Sequence, residues 1–230
     1  MTEKSKWADL KVRTISAVVM VVGIFIVLYL LPKYAFYALL LCAEVILLIE
    51  WVKLTRMRSY KWLWFIFGFI YITPAMLGLA MAYLLLSPNS VAALIFVVAM
   101  IDMGGYFAGK YFGKRKIWPS ISPGKTWEGA FGSFIFCVIA MIIVRMALGK
   151  MPDSLPIENI IALSLILVSL TLGGDLFESA LKRRAGVKDS GKLIPGHGGL
   201  FDRVDGLLAA AWFLGGFAVL VFFMFSMMGK

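Results

Sequence analysis

Residues 62–86 read WLWFIFGFIYITPAMLGLAMAYLLL, 25 residues without a single charge. One α-helix of that length rises about 37 Å, against roughly 30 Å for a hydrocarbon core. Pro74 stands near the middle, so the stretch reads either as one long tilted or kinked span or as a hairpin of two short helices. The choice decides the fold, because a hairpin inverts the orientation of everything that follows.

The charges outside this stretch decide between the two. Other apolar runs near 20 residues recur at about 14–31, 34–52, 91–109, 127–148, 158–181 and 206–228. With 62–86 as one span and the N-terminus inside, the inner segments 1–13, 53–61, 110–126 and 182–205 carry 4, 4, 5 and 6 Lys+Arg, which is 19 of the 23 in the chain. Lys33, Arg145, Lys150 and Lys230 fall on or near the outer side. A hairpin at 62–86 moves eleven of the inner basic residues outside, against the positive-inside bias. The sequence therefore predicts an all-α polytopic integral membrane protein of about seven transmembrane helices, with a cytoplasmic N-terminus, an outer C-terminus and short loops. Backbone groups cannot be left unpaired in lipid, so the spans are helices, and no period-two alternation suggests a barrel.

With 61% hydrophobic and 16% charged residues, a soluble globular domain is excluded. The N-terminal MTEKSKWADLKVR precedes no small-residue cleavage pattern, so no removable signal peptide is expected. Cys42 and Cys137 lie within apolar runs and read as packing residues, giving neither a disulfide framework nor a metal site. The net charge of +10 reports topology first. A nucleic-acid partner is not expected, whereas anionic lipid headgroups or a polyphosphate substrate suit the basic loops.

Two inner regions carry the chemistry. In IDMGGYFAGKYFGKRKIWPSISPGKTWEG, residues 101–129, Asp102 falls inside a span, where an ionised carboxylate is costly unless it is paired or faces a polar cavity. Gly104, Gly105, Gly109 and Gly113 suit close approach of a helix or a ligand. Gly124-Lys125-Thr126 resembles the end of a P-loop, but position 119 is Pro119 and no strand precedes it. What remains is a short loop holding Ser122, Lys125 and Thr126 and opening a helix, a place for phosphate to meet backbone N–H groups. Lys114, Arg115 and Lys116 serve equally as topology determinants. Glu128 suits the first turn of the next helix.

In LGGDLFESALKRRAGVKDSGKLIPGHGGLFDRVDG, residues 172–206, Asp175, Glu178 and Lys182 share one helical face. Glu178 and Lys182 form a ready i, i+4 pair. Asp202 and Asp205 stand three apart where the last span begins, and either suits a helix N-cap. With Asp175 they also make an oxygen cage for a hard divalent cation that bridges to phosphates. Lys182, Arg183, Arg184, Lys188, Lys192 and Arg203 lie between or beside those acids. Acids for metal and bases for phosphate, together at a membrane surface, point to phosphoryl or nucleotidyl transfer. His197, the single histidine, suits phosphate binding, acid–base work or a structural hydrogen bond. Asp189 suits either a neighbouring lysine or the metal.

The stretch Ser179–Asp205, S-A-L-K-R-R-A-G-V-K-D-S-G-K-L-I-P-G-H-G-G-L-F-D-R-V-D, resembles the motif of CDP-diacylglycerol synthases, also called phosphatidate cytidylyltransferases: S-x-x-K-R-x-x-x-x-K-D, a few residues, then P-G-H-G-G-x-x-D-R-x-D. The upstream D-x-x-x-Y-F-x-G-K-x-F-G-K and S-P-x-K-T-W-E-G are also similar. The likeness covers about residues 100–206. Gly124 replaces a frequent lysine and Phe201 a usual leucine. Members are generally longer, so one or two fewer N-terminal helices are expected here.

The resemblance implies a Mg²⁺-dependent reaction of CTP with phosphatidic acid, giving CDP-diacylglycerol and pyrophosphate, with a K⁺ ion also in the site and a homodimer as the assembly. It implies Asp175 and Asp202 as metal-binding acids with Asp205 in support. In the mechanism expected, Lys182, Arg183, Lys188, Asp189, His197 and Arg203 belong to the catalytic set, and Ser122, Lys125, Thr126 and Asp102 to the substrate site. Residues 1–100 are then a scaffold facing lipid and the dimer partner, and 101–230 the catalytic region, with loops 110–126 and 182–205 at the cytoplasmic face of a bacterial inner membrane. Two rivals remain at this stage: a CTP-dependent lipid kinase of the dolichol kinase type, and a cation- or proton-coupled transporter with Asp102, Asp175 and Glu178 along its path.

Overall fold

A computed structural model of the chain describes residues 3–56, 59–148 and 156–228. Three of the basic residues counted above, Arg58, Lys150 and Lys230, lie outside them. The described residues form seven helices and one two-stranded hairpin: α1 Glu3–Tyr29, α2 Lys33–Thr55, α3 Lys61–Leu85, α4 Pro88–Phe112, β1 Lys116–Trp118, β2 Ser122–Thr126, α5 Trp127–Leu148, α6 Ile157–Arg184 and α7 Phe201–Met228. Six helices, α2 to α7, are long and apolar enough to cross a membrane, and the protein is a multi-pass membrane protein. The apolar part of α1, Thr14–Tyr29, is shorter and rises about 24 Å, because charged residues fill the first half of that helix.

Residues 61–85 form one helix that carries Pro74 in its interior, not a hairpin. Its inward face is lined by Ile72, Ala75, Met76, Gly78, Leu79 and Ala82, all buried. Those positions recur at helical spacing, so packing holds the helix through the proline. The α3–α7 contact is tight: a Cβ on Gly78 would lie 2.6 Å from the Ala211 carbonyl oxygen. Between α4 and α5, a Cβ on Gly104 would lie 2.5 Å from the Gly132 oxygen. With apolar lipid outside, such small-residue contacts replace the hydrophobic effect as the source of helix association. The glycines of 101–113 therefore serve helix approach.

The end of α2 is the hub beneath the site. Trp51 is fully buried and its indole N–H donates to the Trp64 carbonyl at 2.7 Å. Its ring meets Phe67, Tyr71 and Phe177 and stands edge-on to Phe201 at 6.1 Å. One aromatic on α2 thus ties α3, α6 and the first residue of α7 together.

Candidate active site

The site sits where α2, α4 and α6 end and α5 and α7 begin. The segment 116–126, expected as a loop, is instead an antiparallel hairpin in which Lys116 pairs with Thr126 and Trp118 with Ser122. Two short strands with no further neighbour leave free edges, so Pro123 is tolerated within β2. Thr126 is buried, and its hydroxyl accepts from Gly129 N–H at 3.1 Å, an N-cap for α5. Glu128, in the first turn of α5, accepts from Lys114 N–H and Arg115 N–H. The hairpin is thereby clamped over the bundle, and Arg183 Nε donates to the Ile121 carbonyl at 3.3 Å from the other side. That contact ties Arg183 to the hairpin, and Ser122 pairs with Trp118 through its backbone.

Lys125 projects from β2 into an ion pair with Asp175 of α6. Nearby α6 and α7 cross so closely that a Cβ on Gly174 would lie 2.5 Å from the Asp205 carbonyl oxygen. The crossing puts Asp175 and Asp205 on the wall of one cavity. Two carboxylates facing one cavity repel each other, and a proton or a cation between them relieves that repulsion. A cavity of about 410 Å³ opens here, walled by Asp102, Lys125, Asp175, Asp202, Arg203 and Asp205 among others. Asp202 and Asp205 both lie inside α7, which starts at Phe201, so neither is its N-cap.

Asp202 is engaged differently. Its Oδ1 accepts from Lys182 Nζ at 2.7 Å, and its Oδ2 from Ser190 N–H at 2.9 Å, Ser190 Oγ at 3.1 Å and Gly199 N–H at 2.8 Å. Lys182 also pairs with Glu178 one turn back, as the i, i+4 spacing implies. Among the described residues no three acidic, histidine or cysteine side chains already stand together as a metal cage. The donors that fit a hard cation are Asp175 and Asp205: an all-oxygen pair facing a polar cavity, with room for waters and phosphate oxygens. Asp202 stands beside them as the anchor of Lys182 and of the 190–199 loop.

A second cavity, of about 630 Å³, lies under that loop. Lys188, Asp189, Lys192, His197 and Arg203 are among its walls. Gly196 and Gly198 adopt positive φ of 74° and 86°, which sets the turn. His197 is held throughout: its N–H donates to Ile194 O, its carbonyl accepts from Arg203 Nε and Nη2 at 3.0 and 2.9 Å, and its Nδ1 lies 2.7 Å from Ser16 Oγ of α1. These contacts hold the loop, and the carbonyl aims Arg203. Arg203 lines both cavities.

Two functional candidates escaped the sequence reading. Glu50 is buried on α2 and accepts hydrogen bonds from Ser190 and from the start of α7. Ser190 itself joins Glu50 to Asp202. An acid inside the apolar run 34–52, which holds Glu44 and Glu50, was the available signal for Glu50, and Ser190 had none.

The family model described as "Cytidylyltransferase family" matches residues 60–223. A phosphatidate cytidylyltransferase of Pseudomonas aeruginosa is 34% identical over 191 residues, covering 80% of this chain and 70% of that protein. Those of Haemophilus influenzae and Bacillus subtilis are 48% and 45% identical over 113 and 120 residues. These two matches cover 49% and 51% of this chain, and 39% and 43% of the relatives' lengths. The matched region includes both cavities and every acid of the first. The chain belongs to the cytidylyltransferase family.

Proposed function

We propose that the protein is a phosphatidate cytidylyltransferase, converting CTP and phosphatidic acid to CDP-diacylglycerol and pyrophosphate. The observation that carries this reading is the pair of polar cavities meeting at Arg203, at one end of a membrane-spanning bundle. Joining a soluble triphosphate to a lipid phosphate calls for two adjacent anion sites, one of which also handles a hard cation. The acid-walled cavity suits the metal-bound triphosphate, and the basic one suits the lipid monoester. The names of the relatives point the same way.

A phosphate oxygen of phosphatidic acid attacks the α-phosphorus of CTP. A new P–O bond forms there, the bond from the α-phosphorus to the bridging oxygen breaks, and pyrophosphate leaves with that electron pair. The nucleophile is already anionic, so positioning and charge neutralisation do most of the work. Asp175 and Asp205 would hold Mg²⁺, which supplies charge neutralisation on the triphosphate. Lys125, resting on Asp175, is within the same cavity to meet the nucleotide. Arg203, aimed by the His197 carbonyl, faces both substrates. Lys188 and Lys192 receive the lipid phosphate, and Lys182 keeps Asp202 in place. The basic end of the bundle is assigned to the cytoplasmic side of a bacterial inner membrane, where CTP is available, and the assembly to a homodimer.

The test is product identification with purified protein, labelled CTP, phosphatidic acid and Mg²⁺. CDP-diacylglycerol with pyrophosphate is expected. CDP with a phosphorylated lipid would indicate a kinase, and ion flux in liposomes without nucleotide turnover a transporter. Assignment of the two cavities has its own check. The double variant Lys188→Ala, Lys192→Ala should raise KM for phosphatidic acid roughly tenfold, the scale of a lost charged hydrogen bond, and leave KM for CTP near its original value. A rise confined to CTP would reverse the assignment.

A further inference from the structure

We infer that Glu50 is a positioning residue of the site: its buried carboxylate on α2 clamps the 190–201 loop and so orients Asp202. Glu50 lies before the residues that the family model matches. The side chain is 4% exposed. Three donors converge on it: Ser190 Oγ at 2.9 Å and Phe201 N–H at 2.8 Å on Oε2, and Leu200 N–H at 3.0 Å on Oε1. The two backbone donors belong to the start of α7, where N–H groups have no acceptor within the helix and favour a negative charge. Among the described residues Glu50 has no basic partner within ion-pair distance. The loop supplies its compensation instead.

The loop is built around that carboxylate. A Cβ on Gly199 would lie 2.6 Å from both Glu50 oxygens, and one on Gly191 would lie 2.5 Å from Oε1. Any larger residue at either position pushes the carboxylate away, which gives a physical reason for two of the loop's glycines. Ser190 then relays the geometry. Its hydroxyl stands between Glu50 Oε2 and Asp202 Oδ2, and its own N–H also donates to Asp202. A single O–H proton goes to one acid at a time. When Glu50 takes it, Asp202 Oδ2 keeps the two backbone donors and its Oδ1 stays turned to Lys182. Glu50 therefore fixes Asp202 through one intervening residue, while itself lining neither cavity.

The catalytic consequence rests on the proposed function; the clamp itself does not, and the experiment separates them. In the purified full chain, Glu50→Gln keeps the shape but replaces an acceptor oxygen with an NH₂ that faces N–H donors. Without substrate, hydrogen exchange in the peptide spanning 199–201 should accelerate. With substrates, kcat per folded molecule should fall about 10–100-fold, the range for removal of an outer-shell partner, with KM for CTP and for phosphatidic acid little changed. Ser190→Ala should lower kcat in the same direction. The double variant should be no worse than Glu50→Gln alone, because both act on the same contact. Unchanged exchange at 199–201 overturns the clamp. Faster exchange with unchanged kcat, or a double variant whose losses multiply, overturns the positioning role. If wild-type protein forms no CDP-diacylglycerol, the proposed function fails, and the exchange result still decides the clamp.

Discussion

Asp175→Asn should reduce conversion of CTP and phosphatidic acid by at least about 100-fold in protein that still folds, a loss on the scale of removing a preorganised charge-stabilising group. The amide keeps the shape of the side chain and removes its charge. Two things are lost together: the ion pair that seats Lys125, and one of the two oxygen donors offered to a cation. Asp175→Glu should not rescue. The α6–α7 spacing is set by Gly174 against the Asp205 backbone, with no room for a Cβ, so a carboxylate carried one methylene further overshoots its partner. Lys125→Met should also lower turnover, and the Lys125→Met, Asp175→Asn pair should lose less than the two singles combined, since both partners of one contact are removed. The measurement is initial rate with labelled CTP at saturating lipid, beside gel filtration to certify folding. Near-normal conversion by Asp175→Asn would remove this aspartate from the site.

What the sequence disclosed, and what it hid, follows from how far apart the cooperating residues lie. The spans are continuous apolar runs, so their number and approximate limits are local properties, and even 62–86 was decided by counting charges in flanking loops. The Glu178–Lys182 pair lies on one helix face and needs only helical periodicity. The hairpin at 116–126 was missed because three- and five-residue strands containing or flanked by proline show no alternation. Asp202 read as a metal ligand or a cap. Its actual commitments, to Lys182 twenty residues away and to Ser190 and Gly199 across a turn, depend on how the loop folds back. Glu50 was hidden most thoroughly, since its partners are 140 to 151 positions downstream. Hydropathy treats an acid in an apolar span as noise, and tertiary packing makes this one a clamp.

Lys182 tests the same network from its centre. Its ammonium joins Glu178 and Asp202, whose side chains are 2% and 5% exposed, while its own is 15% exposed. Removing the cation leaves two buried acids without a countercharge, Asp202 keeping only its hydrogen bonds, and a broken buried pair costs about 3–5 kcal/mol. Lys182→Met should therefore lower the thermal midpoint markedly and abolish turnover. The double variant Lys182→Met, Glu178→Gln should recover a large part of the stability. It restores the net charge of the cluster to that of the wild type, with Asp202 still held by Ser190 and Gly199. Turnover should not return with it, because Oδ1 of Asp202 still lacks the ammonium that orients it. Thermal unfolding in detergent and initial rates, measured on both variants, separate the two contributions. Equal stability of the single and double variants would mean that Glu178 carries none of the uncompensated charge, and recovery of activity with stability would mean that Lys182 serves the fold alone.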